Sequence, residues 1–247
     1  MNKVAIVGCG WLSKQVAQAL LEKGIRVAGS TTSIAKVAEL QRLGISAEVI
    51  DLSVATSQNI SDFVADADAL VVSIPPRSPD YPEMLHRLAT STDRPTILTS
   101  STSVYGQTAG IVTETSQLAD TLQARGEQSL PGAAVLRLGG LVGPGRHPVY
   151  SLSGRKSLPN PHAPINLVHS QDVVRAIIAC LEKNIRSKVI NVVAPFHPSR
   201  QEYYVAQAIK RGLPPPEFAD DAATGKIVQS DCIEPLLGFS PDPALIQ

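Results

Sequence analysis

Cysteine is scarce in this 247-residue chain, and its three copies, Cys9, Cys180 and Cys232, are odd in number and far apart. They make neither a disulfide framework nor a C-x-x-C metal knuckle, so no metal is expected and a reduced cytoplasm is the natural setting. Net charge is missing as well: 22 basic residues balance 22 acidic ones, which gives no reason to expect a nucleic-acid or anionic-membrane partner. No apolar run approaches the ~20 residues of a membrane span. Lys3 and the apolar stretch to Leu12 imitate a signal peptide, but the downstream alternation needs this stretch as its first strand. Internal repeats and low-complexity segments are absent too.

What is present starts at Lys3. Val4, Ala5, Ile6 and Val7 form a continuous apolar run, as a strand buried on both faces does. Gly8-Cys9-Gly10-Trp11-Leu12-Ser13 follows, and then Leu12, Val16, Ala19 and Leu20 recur at helical spacing until Gly24 stops the helix. Strand, glycine turn and helix start make the first half of a dinucleotide-binding βαβ unit. Gly8 serves the tight turn, Gly10 lets the backbone approach a pyrophosphate, and Ser13 is small enough for close helix–strand packing. Cys9 reads as a small apolar filler of that turn.

The alternation continues along the chain. Strands are expected over Ile25–Gly29, Ser46–Leu52, Ala69–Ile74, Thr96–Thr99, Ala133–Leu138, Asn166–His169 and Val189–Val193. Helices are expected over Ile34–Leu43, from an Asp80 cap to Ala89, over Gln117–Arg125, from a Ser170 cap, and from the capping box Ser199-Arg-Gln-Glu202 to Gly212. The fold class is therefore α/β, a Rossmann-type doubly wound parallel sheet of about seven strands with a small C-terminal lobe on the substrate side. Residues 139–164 hold five Gly and five Pro in 26 residues, as a long shaped loop does. The organisation expected is one unit over 1–247: a dinucleotide-binding core over 1–140, with 141–165 and 195–247 covering the substrate site.

At the end of the second strand stands Gly29-Ser30-Thr31-Thr32-Ser33, where NAD binders usually place a carboxylate. Hydroxyls from Ser30, Thr31 and Thr32, with Lys36 one turn on and Arg26 nearby, suit a 2′-phosphate. NADP(H) is thus expected over NAD(H), and Ser30→Asp is expected to reverse the preference. The same hydroxyls also suit the capping of the second helix. Asp51, Leu52, Ser73, Ile74 and Pro75, at the ends of the third and fourth strands, complete the cofactor contacts.

Ser100-Ser101-Thr102-Ser103-Val104-Tyr105-Gly106 resembles the SS-x-x-V-Y-G segment of the extended short-chain dehydrogenases/reductases, the NAD-dependent epimerase/dehydratase group. Leu136-Arg137-Leu138 with Gly143-Pro144-Gly145-Arg146, Asn166-Leu-Val-His169-Ser-Gln-Asp172, and Val189-Ile-Asn191-Val-Val are similar to three further segments of that family, in its order. Gly-Cys-Gly-Trp-Leu and Gly-Pro-Gly-Arg-His-Pro resemble an atypical bacterial branch, the YeeZ-like proteins. The resemblance implies that Ser101 meets the substrate oxygen undergoing hydride chemistry, with Thr102, Ser103, Arg146 and His147 around the substrate. It also implies that Asp51 and Leu52 flank the adenine, that His169 and Asp172 are structural, and that a homodimer is open to the chain.

The family's proton relay, Tyr-x-x-x-Lys, is missing: no tyrosine here has a lysine four residues later. Thr113…Gln117 or Thr121…Arg125 fall where it should lie. A proton would then come from Tyr105, a histidine such as His147, or water. The reading is an NAD(P)-binding oxidoreductase or epimerase with an altered relay, acting on a sugar nucleotide or another anionic metabolite. The alternative is an NADP(H)-binding sensor without turnover; a scaffold with a vestigial nucleotide site stands behind both.

Overall fold

The structure, a computed structural model, describes residues 1–221 and 224–247. Its framework is a parallel seven-stranded sheet. Five strands come from the first hundred residues: β1 (Lys3–Val7), β2 (Arg26–Thr31), β3 (Ser46–Val49), β4 (Ala69–Val72) and β5 (Thr96–Ser101). Between them run α1 (Trp11–Glu22), α2 (Ile34–Arg42), α3 (Ser57–Val64) and α4 (Tyr81–Ser91). After a 3₁₀ turn at Thr102–Tyr105 come β6 (Gly110–Val112), α5 (Leu122–Gln128), β7 (Ala134–Leu138), β8 (Gly140–Val142) and α6 (Val149–Leu152). The chain closes with β9 (Leu167–His169), α7 (Ser170–Glu182), β10 (Val189–Val192), α8 (Arg200–Lys210), β11 (Lys226–Val228) and α9 (Ile233–Leu237).

The sheet order is β10-β7-β5-β4-β1-β2-β3. β1 lies inside it because Val4–Val7 are apolar on both faces and buried on both. From β1 the chain winds outward through β2 and β3, then crosses back to β4 on the other side of β1. That reversal opens a crevice between the carboxyl ends of β1 and β4, the place where such sheets bind ligands.

The chain divides into two compact units. The first holds Met1–Val104, Ala119–Arg137 and Val174–Ile190; the second holds Tyr105–Leu118, Leu138–Val173 and Asn191–Gln247. In the first, Leu70, Leu85, Leu88 and Leu98 are fully buried around Tyr81, each worth roughly 2 kcal/mol of transfer energy. In the second, Val142, Val149, Ile165 and Leu167 pack with Tyr203, Tyr204 and Ala208 of α8. Two short parallel ladders, β6 with β11 and β8 with β9, belong to this second unit.

Several bounds differ from the sequence reading because strands last as long as their partners. β2 runs on through Ser30 and Thr31, where Thr31 pairs with Val49. β3 stops at Val49 instead of Leu52, since β2 ends there. β4 stops at Val72 instead of Ile74, opposite Val7, the last residue of β1. α5 starts at Leu122 instead of Gln117, because Thr121 caps it by accepting the Ala124 N–H. Asp80 precedes α4 without a side-chain cap bond. Residues 139–164 are not all loop, since β8 and α6 form within them. α3 went unread: its box pairs Thr56 with Asn59, where Glu or Gln is the usual signal. The capping box at Ser199 and Glu202 forms as expected.

Candidate functional site

In the first unit the carboxyl ends of β5, β4, β1, β2 and β3 stand side by side, in that order. Gly8 leaves β1 at φ +90°, in the left-handed region, and a Cβ there would lie 2.6 Å from the Ser73 carbonyl oxygen. Only glycine lets β1 and β4 approach so closely at the switch point. Gly10 is different. A Cβ on it would meet nothing within 4 Å, so open space lies above the backbone that starts α1. Gly10 is the N-cap of α1 and no side chain caps the helix. An uncapped helix start beside open space is a cradle suited to an anion. Ser13 and Leu12 are buried behind the cradle, and Trp11 is half-buried at its lip. Burial pushes the Cys9 thiol up to about 11, consistent with its role as a filler.

Ser30 does not present its hydroxyl to a ligand. The side chain is 1% exposed, and its Oγ accepts the Gly8 N–H at 3.0 Å. Thr31 is buried too, with Oγ1 accepting the Ser33 N–H at 3.2 Å. Thr32 is the exposed member of the three. Ser33 sits at the N-cap of α2 without a side-chain cap bond. Asp51 lies just past β3, and Ser53 holds its carboxyl below the usual range by donating from both Oγ and N. Leu52 is buried in the core of this unit. Ser73 Oγ accepts from Thr99 Oγ1 at 3.1 Å, while Ile74 and Pro75 carry the chain outward from β4.

At the end of β5 the hydroxyls divide between structure and site. Ser100 turns inward and donates to Glu127 Oε1 at 2.5 Å. Arg137 holds both oxygens of the same carboxylate, and the two side chains are only 5% and 6% exposed. Half-buried Ser101 accepts the Ser103 N–H at 3.1 Å; Thr102 is buried and Ser103 exposed. Glu127 was missed in the sequence because one acid on a short helix carries no pattern of its own. Neither expected stand-in for the relay faces inward as a pair: Thr113 Oγ1 bonds Thr115 Oγ1 and Gln117 is exposed, while Thr121 caps α5 and exposed Arg125 forks onto Asp120.

The remaining candidates lie in the second unit. Tyr105 is 3% exposed and donates its phenol to Asn191 Oδ1 at 2.7 Å. Asn191 in turn donates its amide to Gln229, and its backbone N–H to Glu114. Glu114 also takes Ser230 Oγ at 2.6 Å, making it the hub of this unit and a second residue the sequence did not single out. His147 stacks on Tyr203 with 5.8 Å between ring centroids. Its Nδ1 accepts the Val149 N–H, so Nε2 carries the proton and donates to Tyr203, whose hydroxyl donates to the Ile246 carbonyl. Burial, with Arg211 nearby, holds this imidazole neutral, at a pKa of about 4. Arg146 stands at the exposed end of a hairpin closed by two Gly143–Arg146 backbone bonds. His169 Nδ1 accepts the Gln171 N–H and Asp172 accepts the Asp242 N–H, both structural as expected.

Among the described residues no His, Cys, Asp or Glu cluster is arranged to hold a metal ion, and no helix is long and apolar enough to cross a membrane. The open space above Gly10 and the uncapped start of α1 lie at the carboxyl ends of the strands of the first unit. Both side chains named as proton sources are engaged in structural hydrogen bonds.

Comparison with known proteins agrees with this fold. No family model matches the chain. Over its whole length it is 37% identical to Protein YeeZ of Escherichia coli strain K12, covering 99% of that protein, and to its counterpart in strain O157:H7 at the same level. Among solved structures it resembles a functionally unknown conserved protein from Silicibacter pomeroyi, at 22% identity and TM-score 0.80 over 98% of this chain and 95% of that one. It also resembles UDP-glucuronic acid 4-epimerase from Bacillus cereus in complex with NAD, at 20% identity and TM-score 0.79 over 99% and 95%. A third likeness is UDP-glucose 4-epimerase from Thermotoga maritima with UDP-glucose, at 16% and 0.78 over the same shares. The chain belongs to the YeeZ family, built on the Rossmann-type fold of the extended short-chain dehydrogenases/reductases.

Proposed function

We propose that this protein binds a nicotinamide dinucleotide across the carboxyl ends of β1 to β5, NADP(H) in preference to NAD(H). It acts in the cytoplasm as an oxidoreductase or epimerase on a small anionic metabolite. The observation that carries the binding is the cradle itself: a backbone only glycine can make at position 8, open space above Gly10, and a helix start left uncapped. The B. cereus epimerase, similar in fold, is described in complex with NAD, which supports the same ligand class. When bound, the nicotinamide supplies or accepts hydride. Ser101, half-buried beyond β5, orients the substrate oxygen.

A second reading draws on a specific observation. Tyr105 donates to Asn191 and His147 to Tyr203, so the protein keeps its named proton sources in structural bonds. That favours an NADP(H)-binding regulatory protein without turnover. Trp11, the one tryptophan, lies in the phosphate turn, and its quenching by NADPH and by NADH tests the binding directly. A panel of sugar nucleotides, aldehydes and quinones with NADPH then separates the readings. A turnover weakened by Ser101→Ala supports the enzyme; tight cofactor binding with a flat panel supports the regulator.

A further inference from the structure

The second unit holds a cavity of about 340 Å³ that the proposed chemistry does not use, and its volume is that of a small-molecule site. The loop after β10 gives it Val193, Pro195 and His197. The end of β11 and the turn into α9 give residues 228–231 and Ile233, and Ser240 and Pro241 close it.

Almost every hydrogen-bond donor of these walls is engaged inside the protein. The N–H groups of Val228, Gln229, Asp231 and Ile233 go to Asn166 Oδ1, the Val112 carbonyl, Glu114 Oε2 and Ser230 Oγ. Pro195 and Pro241 have no N–H. The Ser230 hydroxyl donates to Glu114 at 2.6 Å, and the Ser240 hydroxyl to Glu234 at 3.4 Å. His197 Nδ1 lies 2.9 Å from the Ile165 carbonyl, which can only accept. Nδ1 therefore holds the proton, and Nε2 of the neutral ring is left as an acceptor. The Asp231 carboxylate makes no hydrogen bond or ion pair among the described residues. What remains is a carboxylate, an imidazole nitrogen and two hydroxyl oxygens; only the Gln229 carboxamide still has donors to offer.

A lining rich in acceptors and poor in donors complements a ligand that donates. Charge points the same way, since no Lys or Arg is among the described residues of the lining. Glu114 and Glu234 stand one hydrogen bond behind it. Val193, Val228 and Ile233 are buried and apolar, which suits a hydrocarbon body. A metal ion fits less well, because no group of three His, Cys, Asp or Glu among the described residues is arranged to hold one. Glu114 takes Ser230 and the Asp231 N–H together with the Asn191 N–H, so this wall is fixed without a ligand.

We infer that this cavity binds a primary ammonium on a short hydrocarbon body, with Asp231 as its counter-ion and His197 Nε2 as a second acceptor. The inference stands apart from the dinucleotide reading. The test titrates n-butylammonium chloride into the whole protein and follows the amide NMR signals of residues 229–231. Tetramethylammonium chloride at the same ionic strength carries the charge without an N–H, and zinc chloride probes for a metal. Wild type should bind butylammonium saturably, and about tenfold or more tightly than tetramethylammonium. Asp231→Asn, which keeps the shape of an exposed side chain and removes its charge, should weaken butylammonium roughly tenfold at unchanged melting temperature. No saturation in wild type, equal binding of the two ammonium ions, or unchanged affinity in Asp231→Asn would each overturn the assignment. Zinc bound where butylammonium is not would overturn it in favour of a metal site.

Discussion

Ser30 closes the phosphate turn from behind: its Oγ accepts the Gly8 N–H at 3.0 Å and its carbonyl accepts the Cys9 N–H at 2.7 Å. A residue so placed cannot also read a ribose. Ser30→Asp should bury a carboxylate against the turn, costing about 3 kcal/mol of stability and weakening NADPH and NADH alike. Choice between the cofactors falls instead to exposed Thr32. Thr32→Asp should shift preference toward NADH by about tenfold or more, through repulsion of the 2′-phosphate and a new acceptor for the 2′-hydroxyl. Cofactor titrations of the two variants decide this. A clean swap from Ser30→Asp at unchanged stability would return the selector to position 30.

The two turn glycines should respond differently to alanine. At Gly8 a Cβ would sit 2.6 Å from the Ser73 carbonyl and 2.7 Å from Ile74 Cγ2, with φ at +90°. Gly8→Ala should therefore cost about 3 kcal/mol. At Gly10 φ is −91° and space is open, so Gly10→Ala should cost only about 0.5 to 1 kcal/mol, as an N-cap change does. Dinucleotide binding should fall in both. A Gly10→Ala protein that keeps full affinity would show that no ligand approaches that backbone.

These two positions also show what the sequence could disclose. The order Val4–Val7, Gly8, Gly10, amphipathic helix is local, and every part of it follows from period and backbone freedom. The parallel sheet and the place of the cradle were legible for that reason. The direction of the Ser30 hydroxyl was not, because it depends on where β2 ends, and that depends on β3. The roles of Glu127 and Glu114 were hidden for the same reason. Each takes its meaning from partners elsewhere in the chain. Tyr105 and His147 looked available as lone polar residues until the fold supplied Asn191 and Tyr203.

The Glu127–Arg137 pair should matter through what its loss leaves behind. Glu127→Ala leaves a guanidinium that is 5% exposed without the carboxylate that neutralises it, and takes the same carboxylate from the Ser100 hydroxyl. Breaking such a pair from one side costs about 3–5 kcal/mol. Replacing both residues with methionine removes the stranded charge and should recover most of that loss. Urea midpoints of the single and double variants measure it. A double variant as unstable as Glu127→Ala would mean that shape, and not the stranded charge, sets the cost.

His147 should give the protein an acid sensitivity above the range where carboxylates titrate. Burial lowers its folded pKa to about 4, against roughly 6.5 in the unfolded chain. Above pH 6.5 both states hold a neutral ring and the group contributes no pH dependence. As pH falls from 6.5 toward 4, the unfolded chain takes up a proton that the folded one refuses, so stability drops with pH; below 4 both are protonated and the loss is complete. Allowing for the partial exposure of the ring, the loss should be about 2 kcal/mol. His147→Phe keeps an aromatic ring beside Tyr203 and cannot titrate. Comparing urea midpoints of the two proteins at pH 7.5 and pH 5 isolates the histidine, since other groups contribute equally to both. The wild type should lose more stability than the variant over that interval. Equal losses would mean the imidazole is protonated in the fold, and that its Nδ1 does not accept the Val149 N–H.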